Sequence, residues 1–191
     1  MHVRELIEKN YPEYYGWFKY PAERTVAFGK ADEEWGILGN FGRAPIVVDG
    51  VTFPCAESLF QVMKFTSPMA RRTILSRKGM PVKWAAKGFE KTVGVRKDWG
   101  EILVDALKFC LQTKYAQSVV FRTELARTGD RFIVEAAHGK ADTYSAKLSE
   151  DGQTWEGGNL MGRLLMELRD NGKLEYHLPE DAMRFSDLLE Q

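Results

Sequence analysis

Between Phe53 and Phe65 the apolar residues Leu59, Phe60, Val62 and Met63 surround a polar row, Glu57, Gln61 and Lys64, at i, i+4 and i+7. That spacing predicts a helix entered through Pro54, with a carboxylate in its first turn and three polar groups on one stripe. Taken alone, such a row is expected on a solvated face. Just before it, Ile46-Val47-Val48 and Val51-Thr52-Phe53 flank Asp49-Gly50, the pattern of a β-hairpin.

The same rhythms predict further elements. Helices are expected over Val3–Asn10, over Ala70–Arg77 (stopped by Gly79 and Pro81), and over Ser118–Arg127. A helical turn is expected at Lys83–Lys87, before Gly88. A long helix should start from Asp98 as N-cap and run to about Tyr115, burying Ile102, Leu103, Ala106, Leu107 and Cys110. The glycine-rich Gly157-Gly158-Asn159-Leu160-Met161-Gly162 opens a helix at Arg163–Arg169, ended by Asn171-Gly172. Thr25–Phe28 and Phe132–Ala136 read as strands, and His138–Glu156 as a polar loop. The aromatic cluster Tyr14, Tyr15, Trp17, Phe18 and Tyr20 reads as a packing collar. An acidic segment after Leu178, with one amphipathic turn at Phe185–Leu189, reads as peripheral. The class expected is α+β: a single compact helix-rich domain around a small β-sheet.

Composition narrows the function without choosing it. A chain of 191 residues with 44% apolar, 28% charged and 12% aromatic residues suits one globular domain. No apolar run approaches a membrane span, and Met-His-Val-Arg-Glu is no signal peptide. Cys55 and Cys110 are the only cysteines, which fits a reducing, cytoplasmic setting. His2, His138 and His177 are scattered, so neither a metal site nor a cofactor is expected. The net charge of zero conceals a split. Lys64–Lys97 holds ten cations and one anion, Glu90, whereas ten carboxylates face four cations from Leu148 onward. A basic middle of this kind attracts phosphorylated ligands.

Several pieces then fall in order: Ile-Leu-Gly-Asn40-Phe41; Pro-x-x-Glu57-x-x-Phe60-Gln61-x-x-Lys64-Phe65; Arg96-Lys97-Asp98-Trp99; Glu135 with Asp142 and Tyr144; and Gly158-Asn159-x-x-Gly162 before Leu-Leu-Met-Glu-Leu-Arg169. Over residues 27 to 170 this series resembles the NADAR (YbiA-like) family. The resemblance implies a YbiA-like fold and an N-glycosidase, one that cleaves between a nitrogen base and a phosphorylated ribose or ADP-ribose. The substrates it implies are ADP-ribosyl guanine in nucleic acid, with ADP-ribosylated DNA as partner, and ribosylamino-pyrimidine phosphates of early riboflavin synthesis. ADP-ribosyl removal would carry an antitoxin role. The expected organisation is an aromatic-rich extension at residues 1–24 packed on the domain, a catalytic domain at 25–176, and an acidic tail at 177–191. The sequence departs from the family pattern at Ser58, at Ser145-Ala146 after Tyr144, and in the loop before Gly157.

Breaking an N-glycosidic bond builds an oxocarbenium-like cation while electrons pass to the departing base, so catalysis needs a carboxylate and a proton source. Glu57, at a helix N-terminus, is the expected carboxylate, as stabiliser, base or nucleophile. Asp142 is the expected partner acid or ribose acceptor, and Trp99 the expected stacking or cation-holding face. Substrate contacts are expected from Asn40, Phe41, Gln61, Lys64, Arg96, Glu135, Tyr144, Gly158 and Asn159. Arg96 is a candidate phosphate fork, and Gly158-Asn159 a candidate phosphate cradle. Trp84 and Trp155 read as packing residues. Two non-catalytic alternatives stay open: a sensor of ADP-ribose or nucleotides, and a partner-binding module.

Overall fold

The computed structural model describes residues Val3–Leu189. Residues 1–2 of the expected N-terminal extension and 190–191 of the expected tail lie outside the described residues. The fold is α+β and helix-rich with small sheets, and it divides into two compact units, Met1–Gly42 with Val119–Leu174 and Arg43–Ser118 with Glu175–Gln191. Among the described residues, no helix is long and apolar enough to cross a membrane.

In the first unit, helix α1 (Val3–Asn10) leads to strand β1 (Phe18–Pro21), which pairs antiparallel with β7 (Thr154–Gly157). On its other edge β7 pairs antiparallel with β6 (Ala146–Leu148). A second pair, β2 (Thr25–Phe28) and β5 (Phe132–Glu135), is parallel and in register from Thr25 opposite Phe132. Tyr20, Val134 and Ala146 are buried together, with Phe18, Phe132, Trp155 and Met166 packed around them. Helix α6 (Val119–Arg127) packs on the 3-10 turn Gly36–Leu38. Helix α7 (Leu160–Asn171) packs on β5 and ends at Gly172, whose φ of 70° suits a residue without Cβ. Strands β6 and β7 replace the expected 138–156 loop. They are short and carry polar side chains between the apolar ones, so their alternation is faint, and pairing on both edges of β7 makes them strands.

In the second unit, β3 (Ile46–Val48) and β4 (Val51–Phe53) form the expected hairpin. Asp49 and Gly50 both take positive φ, 49° and 78°, as a two-residue hairpin turn requires. Helix α2 (Ala56–Met63) follows, and all eight of its residues are buried. Around it lie α3 (Pro68–Leu75), α4 (Met80–Thr92) and α5 (Trp99–Gln117). Gly79 and Pro81, expected to stop a helix, open α4 instead: Gly79 caps it at φ 63°, and Pro81 sits where no intrahelical N–H is needed. The helix continues through Gly88 to Thr92.

The described part of the tail is integral to this unit. Phe185 is fully buried, its ring 5.1 Å from that of Phe53 and 4.9 Å from the Arg71 guanidinium. The Asp49 carboxylate accepts the N–H groups of Phe185 and Ser186 at 2.6 and 2.7 Å. Arg71 donates to both oxygens of Asp187 and to the Arg184 carbonyl. Arg71, Arg96, Asp181 and Asp187 line a cavity of about 240 Å³.

Candidate functional site

The candidate residues fall into two sets, one in each unit. In the second unit the polar stripe of α2 points inward, against the solvated-face expectation, because the whole helix runs through the interior. Glu57 is 3% exposed and Gln61 4%. The Gln61 amide donates to Glu57 Oε1 at 2.8 Å, one turn along the same helix. Lys83 of α4 brings its Nζ to 3.6 Å from the same oxygen. A buried carboxylate is tolerated only with such partners. Here it has an amide and an ammonium on one oxygen.

Lys64, next along the stripe, pairs with Glu90 of α4 at 2.9 Å. Its ammonium also lies 5.7 Å from the Phe60 ring centre and 5.9 Å from that of Trp99. The two rings meet at 5.3 Å with a 55° tilt, and Trp99 is buried. The cation on this aromatic pair is therefore supplied by the protein itself. Arg96 is likewise committed: it clasps both oxygens of Asp98 at 2.6 and 2.9 Å and reaches Asp181 at 3.0 Å. These hydrogen bonds, the one to Asp98 foremost, push the Arg96 pKa up and the Asp98 pKa down. Asp98 stands at the N-cap of α5, but its carboxylate makes no capping bond, since the two-pronged guanidinium bond is the stronger one.

In the first unit, Asn159 is fully buried at φ 49° and spans two strand residues. Its amide donates to the Ile133 carbonyl at 2.9 Å and its oxygen accepts the Glu135 N–H at 3.2 Å. Gly158 and Gly162 allow this close approach: a Cβ on Gly158 would lie 2.6 Å from the Thr143 carbonyl oxygen, and one on Gly162 2.0 Å from that of Ile133. The glycine-asparagine segment thus clamps α7 to β5. Asp142 is exposed, and its Oδ1 accepts from the Tyr144 N–H, the Ser145 N–H and the Ser145 hydroxyl at 2.9, 2.9 and 2.6 Å. Glu135 and Tyr144 are half-buried, as is Phe41. Asn40 donates weakly to Met161 Sδ at 3.8 Å, and its buried Oδ1 has no partner among the described residues. A buried acceptor without a protein partner is uncommon.

The NADAR domain model matches residues 27–171. The chain belongs to the NADAR family. It is 32% identical over 153 residues to the N-glycosidase YbiA of Escherichia coli (strain K12), covering 80% of this chain and 91% of that one. A riboflavin biosynthesis protein of Vibrio vulnificus is 30% identical over 169 residues, 86% of this chain but 42% of that longer protein. The NMR structure of E. coli YbiA superposes with a TM-score of 0.62 at 30% identity, over 82% of this chain and 90% of the other. By this kinship the NADAR protein described here is an enzyme, a hydrolase acting on N-glycosyl bonds.

Two positions on α4 escaped the sequence reading. Lys83 lies 26 residues from Glu57 and was one of ten cations in its stretch, with nothing to single it out. Trp84, read as a packing residue, is 66% exposed.

Proposed function

We propose that this NADAR protein removes ADP-ribose from a modified nucleobase, and that Glu57 is the carboxylate at the reacting centre. The observation that carries this is the buried Glu57, held by Gln61 and faced by Lys83. The bond broken is C1′–N, and its electron pair leaves with the base. The bond formed is C1′–O from water, whose proton passes to Glu57 and on to the departing nitrogen, which restores the carboxylate. The same carboxylate stabilises the positive charge that builds on the sugar, and burial strengthens that interaction.

Lys83 and Lys64 belong to the basic stretch and supply positive charge for a diphosphate or for the departing base. Trp99 and Phe60 hold Lys64 through their ring faces rather than offering an open platform. Asn40, with its orphaned oxygen, suits a ribose hydroxyl donor. Asp142 is proposed as a partner acid. Glu135, Tyr144, Phe41 and Gln61 are proposed as substrate contacts, with Arg96, Gly158 and Asn159 supporting them from committed positions.

A second substrate reading, a ribosylamino-pyrimidine phosphate, draws on the Vibrio relative named for riboflavin biosynthesis. Chromatographic release assays separate the two. Wild type and Glu57→Gln are given an oligonucleotide carrying ADP-ribosyl guanine and, separately, the pyrimidine phosphate. Release from the oligonucleotide by wild type alone is expected. Release only from the pyrimidine transfers the activity to metabolite clearance, and release from neither overturns both substrate readings.

A further inference from the structure

Helix α4 carries two faces of opposite character. Val82, Ala86 and the half-buried Phe89 turn inward. Met80, Lys83, Trp84, Lys87 and Lys91, at i, i+3, i+4, i+7 and i+11, fall within one arc of about 100° on the opposite side. All five are exposed, Trp84 to 66% and Met80 to 49%. No carboxylate shares this arc: Glu90, the helix's one acid, lies beyond its edge and is paired with Lys64. Exposed Arg77 and Lys78 continue the positive charge just before the helix. Lys83 sits on the edge of the arc that reaches Glu57.

We propose that the outer face of α4 is a landing surface for single-stranded nucleic acid, with Trp84 stacking on an unpaired base and Lys87 and Lys91 meeting successive phosphates. This rests on the reading of Glu57 as the reacting carboxylate of a nucleic-acid-borne substrate. An aromatic ring standing clear of the surface beside cations is how sequence-tolerant strand binding is built: the ring takes the base face and the ammoniums take the backbone. A duplex hides its base faces, so the lone tryptophan selects a single strand. The arc from Met80 to Lys91 spans about 16 Å along the helix axis, room for a short run of nucleotides. An anionic membrane is a poorer fit, because an interfacial helix needs a continuous apolar face and the apolar face of α4 is turned inward. The strand would approach Glu57 from the Lys83 edge, so stacking on Trp84 would hold the neighbour of the modified nucleotide.

Fluorescence anisotropy with a labelled, unmodified single-stranded oligonucleotide tests this without any need for turnover. Wild type is expected to bind the single strand better than the matching duplex. With Lys87 and Lys91 each neutralising a phosphate, affinity should fall about sevenfold between 50 and 200 mM salt. Trp84→Ala is expected to weaken binding about tenfold, and Lys87→Glu with Lys91→Glu at least as much. These are exposed positions, and circular dichroism should confirm intact folding. Equal binding by wild type and these variants overturns the proposal. So does absence of oligonucleotide binding alongside binding to phosphatidylserine vesicles, which would make the face a membrane surface. A release assay on the ADP-ribosyl oligonucleotide runs in parallel. Strand binding without release leaves the landing surface standing and overturns the ADP-ribosyl substrate reading instead. Release with no loss in the α4 variants keeps that reading and removes the landing surface.

Discussion

Gln61 donates a 2.8 Å hydrogen bond to Glu57 from one turn further along α2, deep inside the second unit. The i, i+4 spacing makes the pair possible, and burial gives it consequence. A carboxylate out of reach of bulk water relies on its neighbours for hydrogen bonds, and here the neighbour is set by the same helix.

Glu57→Gln retains shape and a hydrogen-bonding group toward Gln61 but removes the negative charge. Release of the base is expected to fall by about 10²–10⁴-fold, in the range for losing a positioned acid-base group. The far-ultraviolet circular dichroism and cooperative melting should remain. Loss of folding together with activity would assign Glu57 a structural task.

Gly162→Ala sets a methyl group 2.0 Å from the Ile133 carbonyl oxygen and 2.5 Å from Asn159 Oδ1. Two of those atoms belong to the clamp between α7 and β5, so neither can yield without breaking it. Destabilisation of about 1–3 kcal/mol or more is expected. Urea denaturation measures it, and an unchanged midpoint would mean that α7 lifts off β5 freely.

Lys114 is fully buried on α5, and burial pushes its pKa from the ordinary 10.5 down to about 7. Below pH 7 the amine is protonated in both states, and folding bears the whole cost of enclosing the charge. Above pH 7 the folded protein releases that proton while the unfolded chain keeps it. Stability should therefore rise with pH, by up to about 1.4 kcal/mol per unit. The clean window closes near pH 8.5, where the unfolded Cys110 thiol ionises while in the fold, its pKa raised by burial, it stays neutral and offsets the rise. Urea midpoints from pH 7 to 8.5 should climb in wild type and stay flat in Lys114→Met. Parallel slopes in the two proteins would contradict this.

Phe185→Ala empties the space against Phe53 and removes the ring beneath the Arg71 guanidinium. A cost of about 3–5 kcal/mol is expected for a fully buried phenylalanine. Limited proteolysis should then cut first within residues 180–189. Simultaneous digestion of the whole chain would mean that the tail and the rest of its unit unfold as one.

What the sequence alone could decide was whatever depends on neighbours along the chain. The 46–53 hairpin follows from Asp49-Gly50 and the β-branched runs beside it, and α2, α6 and α7 follow from their 3.6-residue rhythm. The order of Asn40, Glu57, Trp99, Asp142 and Asn159 was enough to suggest the NADAR family. Tertiary structure decided everything that depends on which surface meets which. The Glu57 stripe could face water or core, and only the packing of β4, α3, α4 and α5 around α2 turned it inward. Pro81 marks a helix start as readily as a stop, and the continuation of α4 to Thr92 settled it. β7 became a strand through β1, distant in sequence, and β6 by pairing with the other edge of β7. The ammonium of Lys83 beside Glu57, the Asp181 grip on Arg96, and the Asn159 bridge to β5 are long-range pairings too. A linear pattern records which groups are present, but the charge and hydrogen bonding of each depend on contacts that only folding brings together.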